Sequence, residues 1–164
     1  MNKTQKISEY GYSFQVKFIV CLMKDKLFLE QIVDILDGKY TSNDAFSWII
    51  NEIKDYYNQY KDIISMNVFK IKIQEIDSDL LIVNIKDVLK EVFKNMESPD
   101  LDYVKDKALD FHKSQVLKDA IVKSAEILER DGDSDEIKSL IDIAMQAGVE
   151  RNLGHDYLQD IDAR

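Results

Sequence analysis

Five glycines and one proline in 164 residues leave this chain very few places to turn. Glycine supplies left-handed and tight-turn backbone, and proline stops helices and pre-sets turns, so their scarcity favours long uninterrupted helices. With 45% hydrophobic residues the chain can bury a real core, and its length fits one domain or a domain with an appendage.

Apolar spacing supports the helical expectation. In "YSFQVKFIVCLMKDKLFLEQIVDILDG", Phe14, Phe18 and Leu22, then Phe28, Ile32, Ile35 and Leu36, recur every three or four residues. This spacing predicts two short helices that break near Lys24-Asp25, with Gly38 as a C-cap. "TSND" at 41–44 gathers N-cap residues before a third helix, where Phe46, Ile49, Ile50, Ile53 and Tyr57 form a stripe beside Trp48 and Tyr56. The stretch 69–85 reads both ways. "FKIKIQEI" alternates like a strand and "LLIVNI" is β-branched, which permits a hairpin of strands. Yet Phe69, Ile73 and Ile76 also sit at helical spacing, as do Ile82, Ile85, Leu89, Val92 and Phe93.

"MESPD" is the clearest boundary: Ser98 can cap, Pro99 suits the first helical position, and Asp100 and Asp102 favour the positive end of the helix dipole. A long helix is predicted from Leu101 to Arg130, about 45 Å at ~1.5 Å per residue. The turn "DGDSDE" follows, with Asp133 and Glu136 at capping-box spacing. A last helix carries Ile137, Leu140, Ile141, Ala144 and Met145 before Gly148. The two helices make a hairpin with apolar residues on several faces: Val104, Ala108 and Phe111 on one side, Ile121 and Leu128 on another. Those faces either fold back on the rest of the chain or meet a second copy. Association is the favoured reading, because the hairpin is long compared with the body available to cover it. Val104, Ala108, Phe111, Ile121 and Leu128 of the first helix, with the five residues of the second, are the candidate self-association and partner interface.

Charge and composition exclude several functions. A formal net charge of −9 repels a phosphate backbone and an anionic membrane surface, so neither nucleic acid nor membrane is an expected partner. The single cysteine, Cys21, has no partner for a disulfide or metal cluster and is read as a buried apolar residue in a reducing compartment. "MNKTQKISEY" is no secretory signal, and "FIVCLM" is too short to span a bilayer, so a soluble cytoplasmic protein is expected. No catalytic constellation emerges. His112 and His155 lack carboxylate or cysteine neighbours in a triad or metal pattern and read as ordinary surface or interface residues. No glycine-rich phosphate loop is present, and "DGDSDEIKSL" lacks the closing glutamate of a calcium loop. No cofactor, metal or catalytic residue is therefore assigned, and a small enzyme is the weakest reading.

The chain resembles the N-terminal region of DnaB-type replicative DNA helicases, in the version carried by large tailed phages. "FQVKFIVCLMKDKLFLEQIVDILDGKY" is similar to that family's first two helices, with Tyr40 just past the second. "NDAFSWIINEIKDYYNQY" is similar to its third, and "PDLDYVKDKALDFHKSQVLKDAIVKSAEILERDGDSDEIKSLIDIAMQAG" to its two-helix hairpin. "VERNLGHDYLQDIDAR" resembles the connector before the ATPase motor. The resemblance covers nearly the whole chain as helical pattern and brings no catalytic signature with it. It implies helices over 66–76 and 80–95 in place of strands. It also implies a collar that pairs through its hairpins, forms a hexamer in the full-length protein, and offers a surface to primase and a helicase loader. Tyr157, Leu158 and Ile161 would dock the linker on a neighbouring motor. ATP, magnesium and helicase activity would belong to a motor beyond Arg164, and the location would be the host cell cytoplasm.

The expected fold is therefore all-α: a compact helical bundle over 1–97, a long antiparallel hairpin over 98–148 and a linker over 149–164. The rival reading is a stand-alone helical adaptor, such as a helicase loader or an inhibitor mimicking the collar. The reading frame after codon 164 separates the two.

Overall fold

The computed structural model describes residues 7–41 and 43–146. Among the described residues every regular element is helical and none is a strand, so the fold is all-α. The chain divides into two compact units at Ala108–Leu109, past the boundary expected at 97–98.

In the first unit, α1 (Tyr12–Lys24) and α2 (Lys26–Ile32) break at Asp25, as their apolar spacing predicts. Asp25 leaves the helical conformation at φ −115°, ψ 100°, and its carboxylate accepts the Phe28 N–H at 3.1 Å, capping α2. α1 buries Val16 and an unbroken run from Phe18 to Leu22, more than one face of the helix, and packs on α2, α3 and α5. α3 (Asp44–Tyr60) starts at Asn43, whose side chain accepts from the Ala45 and Phe46 N–H groups, and it buries the expected Phe46, Ile49, Ile50 and Ile53.

Gly38 is not the C-cap of α2. It opens a short 3-10 turn, Gly38–Tyr40, several residues after α2 has ended. Its missing side chain matters for another reason: a Cβ there would lie 2.7 Å from the Ser47 carbonyl oxygen on α3.

The ambiguous stretch is α4 (Met66–Ile73) and α5 (Asp79–Lys94), capped by Ser65 and Ser78. Burial tells why helix wins. A strand would put Phe69, Ile71 and Ile73 on one face; here Phe69 and Ile73 are buried while Ile71 is 62% exposed. The Trp48 and Phe69 rings lie 6.1 Å apart, and Lys72 bonds Glu52 at 2.9 Å, which ties α4 to α3.

α6 (Leu101–Glu129) begins at Leu101, as predicted, two residues past Pro99; the Ser98 hydroxyl donates back to Asn95 Oδ1, at the C-cap of α5. Its first turns belong to the first unit: Lys105 bonds Asp25 at 2.8 Å, and Lys17 bonds Asp100 at 2.8 Å. In the second unit α6 continues to a turn at 130–133 and then α7, residues 134–146. The Gly132 N–H donates to the Ile127 carbonyl at 2.8 Å and the Asp131 N–H to that of Leu128, with Asp131 at φ 56°. This is a Schellman ending whose left-handed residue is an aspartate. Asp133 accepts the Asp135 N–H, but Glu136 pairs with Arg130 at 3.2 Å, so only half of the expected capping box forms.

Candidate interaction sites

The expected interface residues divide by burial. Val104 and Ala108 are 2% and 0% exposed, and Phe111 and Ala144 are also buried. A side chain already covered by its own chain offers no surface to a partner, so these four serve the fold of the single copy. Ile137, Leu140 and Ile141 are half-buried. Ile121, Leu128 and Met145 are exposed, and Ile143 joins them although its position in the sequence pattern gave no sign of it. Tyr157, Leu158, Ile161 and the linker 149–164 lie outside the described residues.

On α6 the exposed residues form an ordered surface. At ~100° per residue, Leu117, Ile121 and Leu128 fall within about 40° of one another on the helix. The buried Ala120, Ser124 and Ile127 occupy the adjoining arc. Ser124 satisfies its hydroxyl locally, donating to the Ala120 carbonyl at 2.7 Å. The apolar arc of α6 is thus wider than the part its own chain covers.

A second surface lies in the first unit. α4 and α5 enclose a half-open groove of about 640 Å³ with a floor of Met66, Ile73, Leu89 and Phe93, within the size range of ligand and peptide pockets. Phe93, expected in the apolar stripe of α5, is 71% exposed and stands at the groove instead of in the core. Lys86, Lys90 and Lys94 follow at i, i+4 and i+8 along α5, and Lys70 faces them from α4. Lys94 pairs with Glu91 at 3.3 Å. Lys70, Lys86 and Lys90 have no ion-pair partner among the described residues. Four cations round one apolar floor are notable in a chain of net charge −9. The repeat of lysines was visible in the sequence; the floor was not, because it needs α4 and α5 side by side.

No group of three or more His, Cys, Asp or Glu side chains that could hold a metal occurs among the described residues. His112, expected at a surface or interface, is buried beside the Phe111 ring, whose centroid is 5.2 Å away. Cys21 is buried, as its apolar neighbours predict, and burial pushes its thiol up to about 12. Among the described residues no helix is long and apolar enough to cross a membrane. Comparison with protein-family models, curated proteins and solved structures finds no match for this chain.

Proposed function

We propose that this chain is a self-associating, partner-docking module: the collar region of a DnaB-type replicative helicase, in which copies meet through the α6–α7 hairpin and the first unit faces primase or a helicase loader. On this reading the chain holds motors together and has no catalysis of its own; ATP and magnesium belong to a motor outside this sequence.

The observation that carries the reading is the exposed row of Leu117, Ile121 and Leu128 on α6, together with Ile143 and Met145 on α7. Water-exposed apolar residues in a row, beside an arc that is already buried, are what a contact between copies requires. The resemblance in helical pattern supplies the name of the class, and the strongly acidic surface argues against a direct grip on DNA.

Light scattering at micromolar concentration tests it. The chain should exceed its monomer mass, and Ile121→Asp with Leu128→Asp should return it to monomer with unchanged helical circular dichroism. A wild-type chain that stays monomeric at high concentration, or a double variant of unaltered mass, sinks the proposal.

A further inference from the structure

We propose that the lysine-rimmed groove between α4 and α5 receives an acidic amphipathic helix of a partner protein. The proposal names the partner's chemistry; it rests on the docking half of the reading above and not on the contact between copies.

Order around α5 sets the occupant's charge. At ~100° per residue, Phe93, Lys86, Lys90 and Lys94 follow one another over about 100° of the helix, starting beside the buried Leu89. Asp87 and Glu91 come only after them, on the side toward Tyr12, whose hydroxyl burial and these two carboxylates push up. The helix thus turns its cations to the apolar floor and its acids away, in a chain of net charge −9. Lys70 adds a cation from α4, and Lys70, Lys86 and Lys90 have no ion-pair partner among the described residues. Unpaired cations round an apolar floor fit a ligand that is apolar on one side and anionic along its edges.

The spread of those charges sets the occupant's length. Lys86, Lys90 and Lys94 span about 12 Å at ~1.5 Å per residue. One anionic headgroup meets one or two of them, whereas glutamates four apart on a helix repeat at the lysines' own interval of ~6 Å. The walls set its backbone. Both are helices and offer no strand edge, so an extended peptide would leave the N–H and C=O groups that it turns to the floor unpaired. A helix satisfies its own, and lays one apolar stripe in the groove. The α6 of a second copy does not suit: around Leu117 and Ile121 its exposed row is edged by Lys113 and Lys118, which the groove repels.

The probe is a designed fluorescent peptide of about 15 residues, with leucines at i, i+3, i+4 and i+7 edged by glutamates. Anisotropy should show the full chain binding it. Lys86→Glu with Lys90→Glu should weaken binding by about tenfold or more, and Phe93→Ser should weaken it with no change of charge. Lys118→Glu with Lys123→Glu on α6 alters net charge equally and should leave binding within about twofold. All five residues are exposed, so the variants keep the fold, which helical circular dichroism checks. A peptide of the same composition with its leucines scattered round the helix should bind about tenfold more weakly.

No binding, equal binding by the groove and α6 variants, or equal binding of the scattered peptide overturns the proposal. So does tighter binding of decanoate or of a short oligodeoxythymidylate than of the peptide, lost in the groove variant. A groove variant of lower mass in light scattering would seat a second copy there and overturn it too. Mass also separates the failures: an oligomeric chain that ignores the peptide loses this inference alone, and a monomeric chain that binds it at the groove loses the self-association reading alone.

Discussion

One carboxylate of Asp25 does two jobs: it accepts the Phe28 N–H at 3.1 Å to cap α2, and it bonds Lys105 Nζ at 2.8 Å to hold the first turns of α6. The two helices are therefore fastened to the same point, eighty residues apart in the chain. Burial pushes the Asp25 carboxyl up, but the Lys105 ammonium and the N–H groups of Phe28 and Leu27 outweigh it, so the group is held below its ordinary value. A lowered folded value contributes stability that is present above the unfolded value, ~3.9, and is lost as pH falls through the folded one. Asp25→Asn keeps a cap and loses the ion pair, so it should cost up to about 1 kcal/mol at pH 7. Urea unfolding of the two chains should converge as pH falls through the folded value. Equal stabilities at pH 7 would show that the ion pair contributes nothing. Asp25→Ala should cost about 1 kcal/mol more, because the cap goes too.

Gly38 lies close against α3. Its N–H donates to Asn51 Oδ1 at 3.1 Å, and a Cβ would meet the Ser47 carbonyl at 2.7 Å and Asn51 Nδ2 at 2.8 Å. The carbonyl belongs to α3 and cannot swing away. Gly38→Ala should therefore lose about 1–3 kcal/mol, the usual range for overpacking, measured as a fall in the urea midpoint. An unchanged midpoint would mean that the turn yields without cost.

What could be read from the sequence follows from the range of each interaction. The breaks at Asp25 and Asn43 were legible because capping is local and its residues sit next to the helix they cap. The stretch around Ile71 was not, since alternation and helical spacing share Phe69 and Ile73; only the neighbour that covers those two, and leaves Ile71 outside, decides it. Gly38 and Ser98 misled for one reason: the groups they meet, Ser47 and Asn95, are fixed by the way the chain turns, not by local pattern. The candidate site split likewise. Ile121 and Leu128 were legible as apolar residues beyond one stripe, while the burial of Val104 and Ala108 depends on the seating of α6 through Lys105. The groove needed two helices side by side, and its lysines alone look like an ordinary solvated face.

Asp131 holds a left-handed backbone, φ 56°, at the end of α6, while Gly132 beside it does not have a positive φ. A side chain in that region costs about 1 kcal/mol or more. Asp131→Gly should accordingly gain about 0.5 kcal/mol after the added freedom of the unfolded chain is subtracted. Gly132→Ala should act in the other direction. Its Cβ would lie 2.6 Å from Ile127 Cγ2, a methyl on a side chain that is stiff at χ1, and 3.0 Å from the Ile127 carbonyl. A loss of about 1–3 kcal/mol is expected. Thermal melts of the two variants read both signs; a gain for Gly132→Ala would mean that the Schellman turn is not the geometry in solution.

Cys21 reports whether α6 stays seated on α1. Its thiol is buried and lies 3.6 Å from the Leu101 carbonyl at the start of α6. With the thiol pushed up to about 12, chiefly by burial, almost none is thiolate at pH 8. A thiol reagent at pH 8 should therefore leave the folded chain unlabelled over hours and label it rapidly in denaturant. The raised value also sets an alkaline dependence. Stability from the protonated thiol is complete below the unfolded value, ~8.5, and is lost as pH rises from there toward the folded value. The advantage of wild type over Cys21→Ala should thus shrink by up to about 1.4 kcal/mol per unit between pH 9 and 10. Ala at this position cannot ionise, so tyrosine and lysine titration cancels in the difference. Prompt labelling of the native chain at pH 8, with the unfolding midpoint unmoved, would mean that the α1–α6 contact opens on its own.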